Sequence, residues 1–124
     1  MRIIDHYVSG EKFLGNSKRL SSVFNPATGE ETAKVRLGSK EDLNKTVEKA
    51  LNAFEPWLNT PPLQRARVLF KFKELIEKNS DELTKIIVSE HGKVYEDAKG
   101  SLSRGLEVVE YACGIPQILK GEFT

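Results

Sequence analysis

The chain has 124 residues, of which 19 are Lys or Arg and 18 are Asp or Glu, so its net charge is +1. This balance produces no strong field, and it argues against a protein that binds nucleic acid or an anionic membrane through net charge. Hydrophobic residues make up 39% of the chain, a share typical of globular domains. We therefore expect an ordinary globular chain without a nucleic-acid or membrane partner.

The single cysteine, Cys113, excludes an internal disulfide and is typical of a protein from a reducing compartment. Charged and polar residues interrupt the N-terminal residues 1–13 every few positions, so this stretch predicts no secretory signal. No run approaches the ~18 apolar residues that a membrane span needs. These features predict a cytoplasmic location.

The first 38 residues predict two β-ribbons or a small meander. In the first ribbon, apolar residues on both sides flank a short polar turn at 9–11. In the second ribbon, the turn sequence Asn-Pro-Ala-Thr-Gly at 25–29 separates two apolar segments, the latter alternating with Lys34 and Arg36. We expect residues 1–38 to form a β-ribbon region.

The following residues predict three to four amphipathic helices. Ser39 with Asp42 three positions later resembles a capping box, and Pro56 should end or kink that first helix near 54–57. Prolines at 61–62 start the next helix, which breaks at 79–81 and then continues to the C-terminal glycine Gly92. The last helix ends at Gly114 and Pro116. Its apolar positions recur at spacings of three and four: Tyr95, Ala98, Leu102, Leu106, Val109 and Cys113.

Together these patterns predict an α+β fold, with N-terminal β-ribbons followed by three to four amphipathic helices. We expect a single partial domain over 1–124, divided into a β-ribbon region (1–38), a helical region (39–116) and a truncated tail (117–124). The helices carry more apolar surface than a helical hairpin buries, so we expect them to pack against something larger. The second helix is expected to be covered on more than one side because its apolar positions are Ala66, Leu69, Phe70, Phe72, Leu75 and Ile76.

Cys113 is the obvious candidate nucleophile, yet its position argues against that role. It lies at the C-terminal end of a predicted helix, where the helix dipole opposes thiolate formation. His6 and His91 show no metal-ligand spacing, and the chain has neither a glycine-rich phosphate loop nor a dinucleotide fingerprint. We therefore predict no catalytic residue, no metal site and no complete cofactor site in this chain.

Arg104 is the candidate ligand-binding residue. Gly100, Ser101 and Gly105 beside it are small and leave room for a ligand to approach the guanidinium. Arginine suits bidentate binding of a carboxylate. The alternative is a surface ion pair with Glu107, three positions further along the helix. From the residues alone, both interpretations stay open.

Several motifs along the chain resemble those of aldehyde dehydrogenases. These motifs are VFNPATGE at 23–30, AFEPW at 53–57, PPLQRARVLFKFKELIE at 61–77, SEHGK at 89–93 and RGLEVVEYACGIP at 104–116. The last of them, extended as RGLEVVEYACGIPQILKGEF, resembles the narrower CoA-acylating methylmalonate-semialdehyde dehydrogenase branch. The resemblance implies the N-terminal segment of an NAD-dependent enzyme of valine catabolism. Such an enzyme oxidises malonate or methylmalonate semialdehyde, forms a thioester on a cysteine, loses CO2 and passes the acyl group to CoA.

The resemblance also implies that Arg104, by its place in the RGLE motif, binds the carboxylate of the substrate. The catalytic cysteine, general-base glutamate, oxyanion asparagine and nucleotide-binding helix of that family are expected beyond Thr124. The full-length family uses NAD and CoA, whereas this chain alone is expected to bind neither and to be inactive.

Three interpretations of the chain follow from the resemblance. The first is an inactive N-terminal fragment of the dehydrogenase, and the second is a non-catalytic subunit of a two-chain dehydrogenase. The third is a non-enzymatic interaction module that kept the fold segment and lost the chemistry. As partners we expect further copies of this chain, through self-association, or a catalytic dehydrogenase chain.

Overall fold

A computed structural model describes residues 1–122. The chain forms two compact units, Met1–Trp57 and Leu58–Thr124. Among the described residues, the first unit holds the β-strands and the first helix, and the second unit holds the remaining helices. Strands followed by helices confirm the predicted α+β class. The predicted boundaries after residues 38 and 116 separate regions by their secondary structure and not by compactness. That division therefore stays a prediction.

The first unit contains an antiparallel hairpin of two short strands. Its strands pair with His6 opposite Phe13, and the turn between them is formed by Ser9 and Gly10. Both turn residues have positive φ, 57° and 83°, as a two-residue type I′ turn requires. The predicted first ribbon is confirmed. The described strands are β1 (Arg2–Ile4), β2 (His6–Val8), β3 (Glu11–Phe13), β4 (Leu20–Phe24) and β5 (Glu31–Arg36).

A second sheet has the strand order β1-β5-β4. β4 and β5 are antiparallel, as predicted, and Asn25 N donates to Glu30 O at 2.8 Å to close the turn between them. β1 pairs in parallel with β5, placing Ile3 opposite Lys34. This parallel pairing joins residues far apart in sequence and has no turn signal, so the predicted meander is wrong.

Helix α1 spans Lys40–Leu58 and begins with the predicted capping box. Ser39 N donates to the Asp42 carboxylate at 2.9 Å, and Asp42 N donates to Ser39 Oγ at 3.1 Å. The helix continues past Pro56 to Leu58, slightly beyond the predicted end. A proline in the last turn removes one backbone donor and leaves the preceding turns intact.

One apolar face of α1 is exposed along its whole length. Its side chains recur every three or four positions, so they form one stripe on the helix. We call this surface the α1 stripe. Its members are Leu43 (62% exposed), Val47 (49%), Leu51 (67%), Phe54 (63%) and Leu58 (57%).

The second unit consists of helices whose ends the sequence predicted well. Asn79 separates the second and third helices, but its side-chain amide donates to Leu75 O at 2.7 Å instead of capping the third helix. Gly92 has φ 78° and donates its N–H to Val88 O, which confirms the predicted C-terminal glycine. The helices are α2 (Pro62–Lys78), α3 (Ser80–His91), α4 (Tyr95–Cys113) and the short α5 (Ile115–Ile118), which the sequence did not predict.

Small side chains form the centre of the second unit, where α2 and α3 both pack on α4. Ala66 of α2, Thr84 of α3, and Ala98 and Cys113 of α4 are all buried. Short side chains at these positions let the helix backbones approach closely. The Thr84 hydroxyl donates to Ser80 O at 2.7 Å, so this buried polar group has a partner.

Several large apolar side chains of α2 are open among the described residues. Phe70 is 58% exposed, Phe72 50% and Leu75 44%. Within residues 1–122 the other elements cover only part of α2, so the expectation that it is covered on more than one side stays a prediction. α3, α4 and α5 contact α2, and Ala66 is its buried residue.

Candidate anion-binding site on the fourth helix

Arg104 lies in the middle of α4 with an exposed side chain. Val108 and Tyr111, one and two turns further on, lie on the same side of the helix and are 68% and 72% exposed. A Cβ added to Gly100 would lie 3.8 Å from Arg104 Nη1, an ordinary contact, and one added to Gly105 would meet no atom within 4 Å. The guanidinium therefore lies over Gly100 and Ser101, one turn toward the start of α4, while Val108 and Tyr111 extend the exposed side of the helix in the other direction.

The alternative ion pair between Arg104 and Glu107 does not form. Among residues 1–122, the ion pairs of the structure involve neither of these side chains. Arg104 Nη2 instead donates to the uncharged hydroxyl of Ser101 at 3.3 Å. The charge of the guanidinium is thus available to an external anion.

A second cation contacts the same hydroxyl. Lys93 Nζ donates to Ser101 Oγ at 2.8 Å, and Ser101 Oγ donates to Asp97 O of the helix backbone at 3.1 Å. Among the described residues, Lys93 also takes part in none of the ion pairs. We call Lys93, Ser101 and Arg104 the cation cluster.

The local chain path brings the cation cluster together. Gly92 ends α3 in the left-handed conformation, and Val94 then precedes α4 in an extended conformation with φ −68° and ψ 152°. Lys93 lies between Gly92 and Val94, and its side chain extends along the first turns of α4 as far as Ser101. Ser101 and Arg104 are three residues apart on α4, a spacing that makes side chains neighbours on a helix surface.

Sequence reasoning pointed to Arg104 but did not predict its contact with Ser101 or the contact of Lys93 with the same hydroxyl. Ser101 was considered only for its small size, although its spacing of three from Arg104 was a usable signal. Lys93 carried no such signal because its contact with Ser101 depends on the turn that follows Gly92.

Cys113 is 6% exposed and lies in the last turn of α4. Nearby, Lys73 contacts Glu77 at 2.6 Å and Glu110 at 4.0 Å, and the hydrogen bond to Glu77 is the main reason that the pKa of Lys73 is raised.

Within residues 1–122, no group of three or more His, Cys, Asp or Glu side chains is placed to hold a metal ion. Nor does any helix of this part of the chain combine the length and apolarity that crossing a membrane requires.

The first unit contains a separate cavity of about 420 Å³ between the β2–β3 hairpin and the start of α1. Its wall includes the buried carboxylate of Asp42, which accepts hydrogen bonds from Asn16 N at 2.7 Å and Ser17 N at 3.4 Å. Together with the bond from Ser39 N, which is the largest influence, these bonds lower the pKa of Asp42 to about 2. Because the carboxylate is already occupied by backbone donors, its role is structural.

Comparisons with known proteins identify relatives that match almost the whole chain. The model of the aldehyde dehydrogenase family matches residues 13–124. The chain is 48% identical to a malonate-semialdehyde dehydrogenase of Pseudomonas aeruginosa over 124 residues, which are all of this chain and 25% of that protein. It is 41% identical to malonate-semialdehyde dehydrogenase 3 of Geobacillus kaustophilus over 98% of this chain and 25% of that one.

Solved structures show the same relationship. The crystal structure of methylmalonate-semialdehyde dehydrogenase from Oceanimonas doudoroffii matches with a TM-score of 0.94 and 48% identity, covering 98% of this chain and 25% of that one. A Sinorhizobium meliloti protein, provisionally assigned as a methylmalonate-semialdehyde dehydrogenase and complexed with NAD, matches with a TM-score of 0.95 and 46% identity. That match covers 100% of this chain and 25% of that one.

The chain therefore spans about a quarter of the length of these relatives, and it matches their N-terminal part in sequence and fold. The family match covers most of the chain, from residue 13 onward. The resemblance read from the sequence motifs is thus confirmed. This chain belongs to the aldehyde dehydrogenase family.

Proposed function

We propose that the chain is the N-terminal segment of an NAD-dependent, CoA-acylating dehydrogenase of malonate or methylmalonate semialdehyde, with no activity of its own. The observation that carries this proposal is the cation cluster, in which Arg104 donates to an uncharged hydroxyl and forms no ion pair among residues 1–122. Relatives named for carboxylated semialdehydes support it.

Arg104 supplies substrate binding in this proposal. Its planar guanidinium donates two parallel hydrogen bonds to the substrate carboxylate, which a simple aldehyde lacks. Anchoring that end of a short substrate fixes the distance and direction of the aldehyde carbon relative to the catalytic groups. Val108 and Tyr111, one and two turns further along α4, offer apolar surface on the same side of the helix as Arg104.

The chemical step requires groups that this chain does not provide. In the complete enzyme NAD would accept the hydride and CoA would accept the acyl group. Among residues 1–122, a strand leads into a helix only at 37–39, between β5 and α1. This connection contains a single glycine and lacks the glycine-rich fingerprint that binds phosphates. The described residues therefore do not fit a complete nucleotide site. Cys113 is buried, which opposes a role as nucleophile.

The proposal is tested by assaying NADH formation with malonate semialdehyde, NAD and CoA. One sample contains this chain alone, and a second contains a fusion of this chain to the remaining three quarters of the Pseudomonas aeruginosa relative. We expect turnover only in the fusion. Turnover by the chain alone would contradict its proposed inactivity, and an inactive but folded fusion would contradict its role as the N-terminal segment.

The α1 stripe favours a second candidate, a subunit of a dehydrogenase made from two polypeptides. Its large exposed side chains, such as Leu51 and Phe54, offer a surface that a catalytic chain or a second copy of this chain could cover. We place such a complex in the cytoplasm, which the single buried thiol of Cys113 supports. Purification of the chain from its native cells at physiological salt, followed by mass spectrometry, tests this candidate. Recovery of a longer dehydrogenase polypeptide would support it, and recovery of this chain alone would count against it.

A further inference from the structure

Two positive charges meet at one uncharged atom in the cation cluster. Lys93 Nζ and Arg104 Nη2 both donate to Ser101 Oγ, at 2.8 and 3.3 Å, so the two cationic nitrogens are neighbours across a single oxygen. Cations this close repel each other, and an anion beside them offsets that repulsion. Among the described residues, no carboxylate forms an ion pair with either cation.

The orientation of the Ser101 hydroxyl follows from its bonding. A serine hydroxyl has one proton and two lone pairs. The proton is donated to Asp97 O at 3.1 Å, within the helix backbone, so both lone pairs are left for Lys93 and Arg104. The hydroxyl thus holds two mobile side chains in one place without neutralising either charge.

We propose that Ser101 is a positioning residue that orients Arg104 and that Lys93 supplies a second positive charge for the substrate carboxylate; this inference rests on the proposed function. A carboxylate bound by Arg104 would also be attracted by Lys93 and would relieve the repulsion between the two cations. An aldehyde without a carboxylate gains nothing from either group. The cluster therefore determines specificity for carboxylated substrates.

A purely structural role of Ser101 makes a different prediction. A serine that only bonds to the carbonyl one turn earlier affects the stability of α4 and not the binding of anions. Ser101→Ala removes the hydroxyl, so weaker malonate binding in a variant whose α4 stays folded separates the two roles, and Ser101→Thr, which keeps the hydroxyl, should restore binding. Ser103→Ala is the matched control, because Ser103 is an exposed serine of the same helix outside the cation cluster.

The experiment titrates malonate, as a stand-in for the carboxylated substrate, into the full 124-residue chain. Binding is followed through the backbone ¹H–¹⁵N signals of α4, which every variant retains, with propionamide as a neutral control. We expect Ser101→Ala to weaken malonate binding roughly three- to tenfold, the net effect of one ordinary hydrogen bond, because the serine acts only through the position of Arg104. Lys93→Met should weaken binding and reduce its salt dependence. Ser101→Thr and Ser103→Ala should bind like the parent chain.

The outcomes separate this inference from the proposed function. If Arg104→Met abolishes malonate binding while Ser101→Ala and Lys93→Met bind like the parent chain, the positioning role is overturned and the carboxylate site stands. If the parent chain does not bind malonate, or Arg104→Met binds it equally well, the carboxylate site itself is overturned. Equal weakening by Ser101→Ala and Ser103→Ala would also overturn the positioning role, because it would reflect a general loss of helix stability.

Discussion

Arg104 and Ser101 lie one turn apart on α4, and the guanidinium donates to the serine hydroxyl at 3.3 Å instead of pairing with Glu107. This contact leaves an arginine whose direction is set and whose charge is not neutralised. An arginine held in that way is preorganised for a carboxylate, because less side-chain entropy is lost when the ligand binds. Relatives of this chain are named for malonate and methylmalonate semialdehyde, substrates that carry such a carboxylate.

Replacement of Gly15 by alanine is expected to destabilise the first unit more than the same change at Gly29. Both glycines have left-handed φ, +66° and +74°, so each alanine costs about 1 kcal/mol in backbone strain. At Gly15 the new Cβ would lie 2.7 Å from Asp42 Cγ, whereas at Gly29 it meets no atom within 4 Å. Urea denaturation of the two variants measures the difference. Equal midpoints would show that Gly15 does not approach Asp42 as described.

Asp42 should contribute to stability in a pH-dependent way. Its pKa in the folded chain is about 2, below the ordinary value of 3.8, because backbone N–H groups of Ser39 and Asn16 donate to the carboxylate. The folded state therefore favours the ionised form. This contribution is complete above about pH 4 and is lost as the pH falls toward 2.

The variant Asp42→Asn tests this dependence. It should be less stable than the parent chain at pH 6, and the two stabilities should converge between pH 4 and 2. Glu41→Gln, which changes an exposed carboxylate in the same helical turn, is the matched control. A constant difference between Asp42→Asn and the parent chain over the whole range would contradict the assigned pKa.

The isolated chain is expected to self-associate through the α1 stripe. Leu51 is 67% exposed and Phe54 63%, and contiguous apolar surface of this kind drives association in water. Leu51→Glu should shift the chain toward the monomer in sedimentation velocity. Asn52→Glu adds the same charge at the adjacent exposed position and should leave the association unchanged. A chain that is monomeric at all concentrations would show that the stripe is not a self-association surface.

Local signals explain why much of the fold could be predicted. The capping box between Ser39 and Asp42 spans three residues, and the φ of 78° at Gly92 reflects a preference of glycine itself. By contrast, no turn sequence connects β1 directly to β5, so their parallel pairing had no local signal. Which side chains of α2 are buried depends on the helices that pack against it. Sequence periodicity reports that a helix face is apolar, but it does not report whether a partner is present.

The candidate site shows the same limit. The chemistry of arginine and its helix position pointed to Arg104, while its contact with Ser101, in place of an ion pair with Glu107, needed the structure. The contribution of Lys93 depends on the turn after Gly92, which brings a side chain from one segment onto the next helix. Contacts of this kind arise from the path of the chain and cannot be read from residue spacing.

The selectivity of the fusion enzyme for carboxylated aldehydes tests the proposed role of Arg104 most directly. The measurement is kcat/KM for malonate semialdehyde and for propanal, in the fusion of this chain to the remaining part of the Pseudomonas aeruginosa relative. Arg104→Met should lower kcat/KM for malonate semialdehyde by about tenfold or more, the loss expected for charge-assisted hydrogen bonds, and should change the value for propanal little. Ser103→Ala, the matched control, should change neither. An equal fall for both substrates in Arg104→Met would contradict the assignment of Arg104 to the substrate carboxylate.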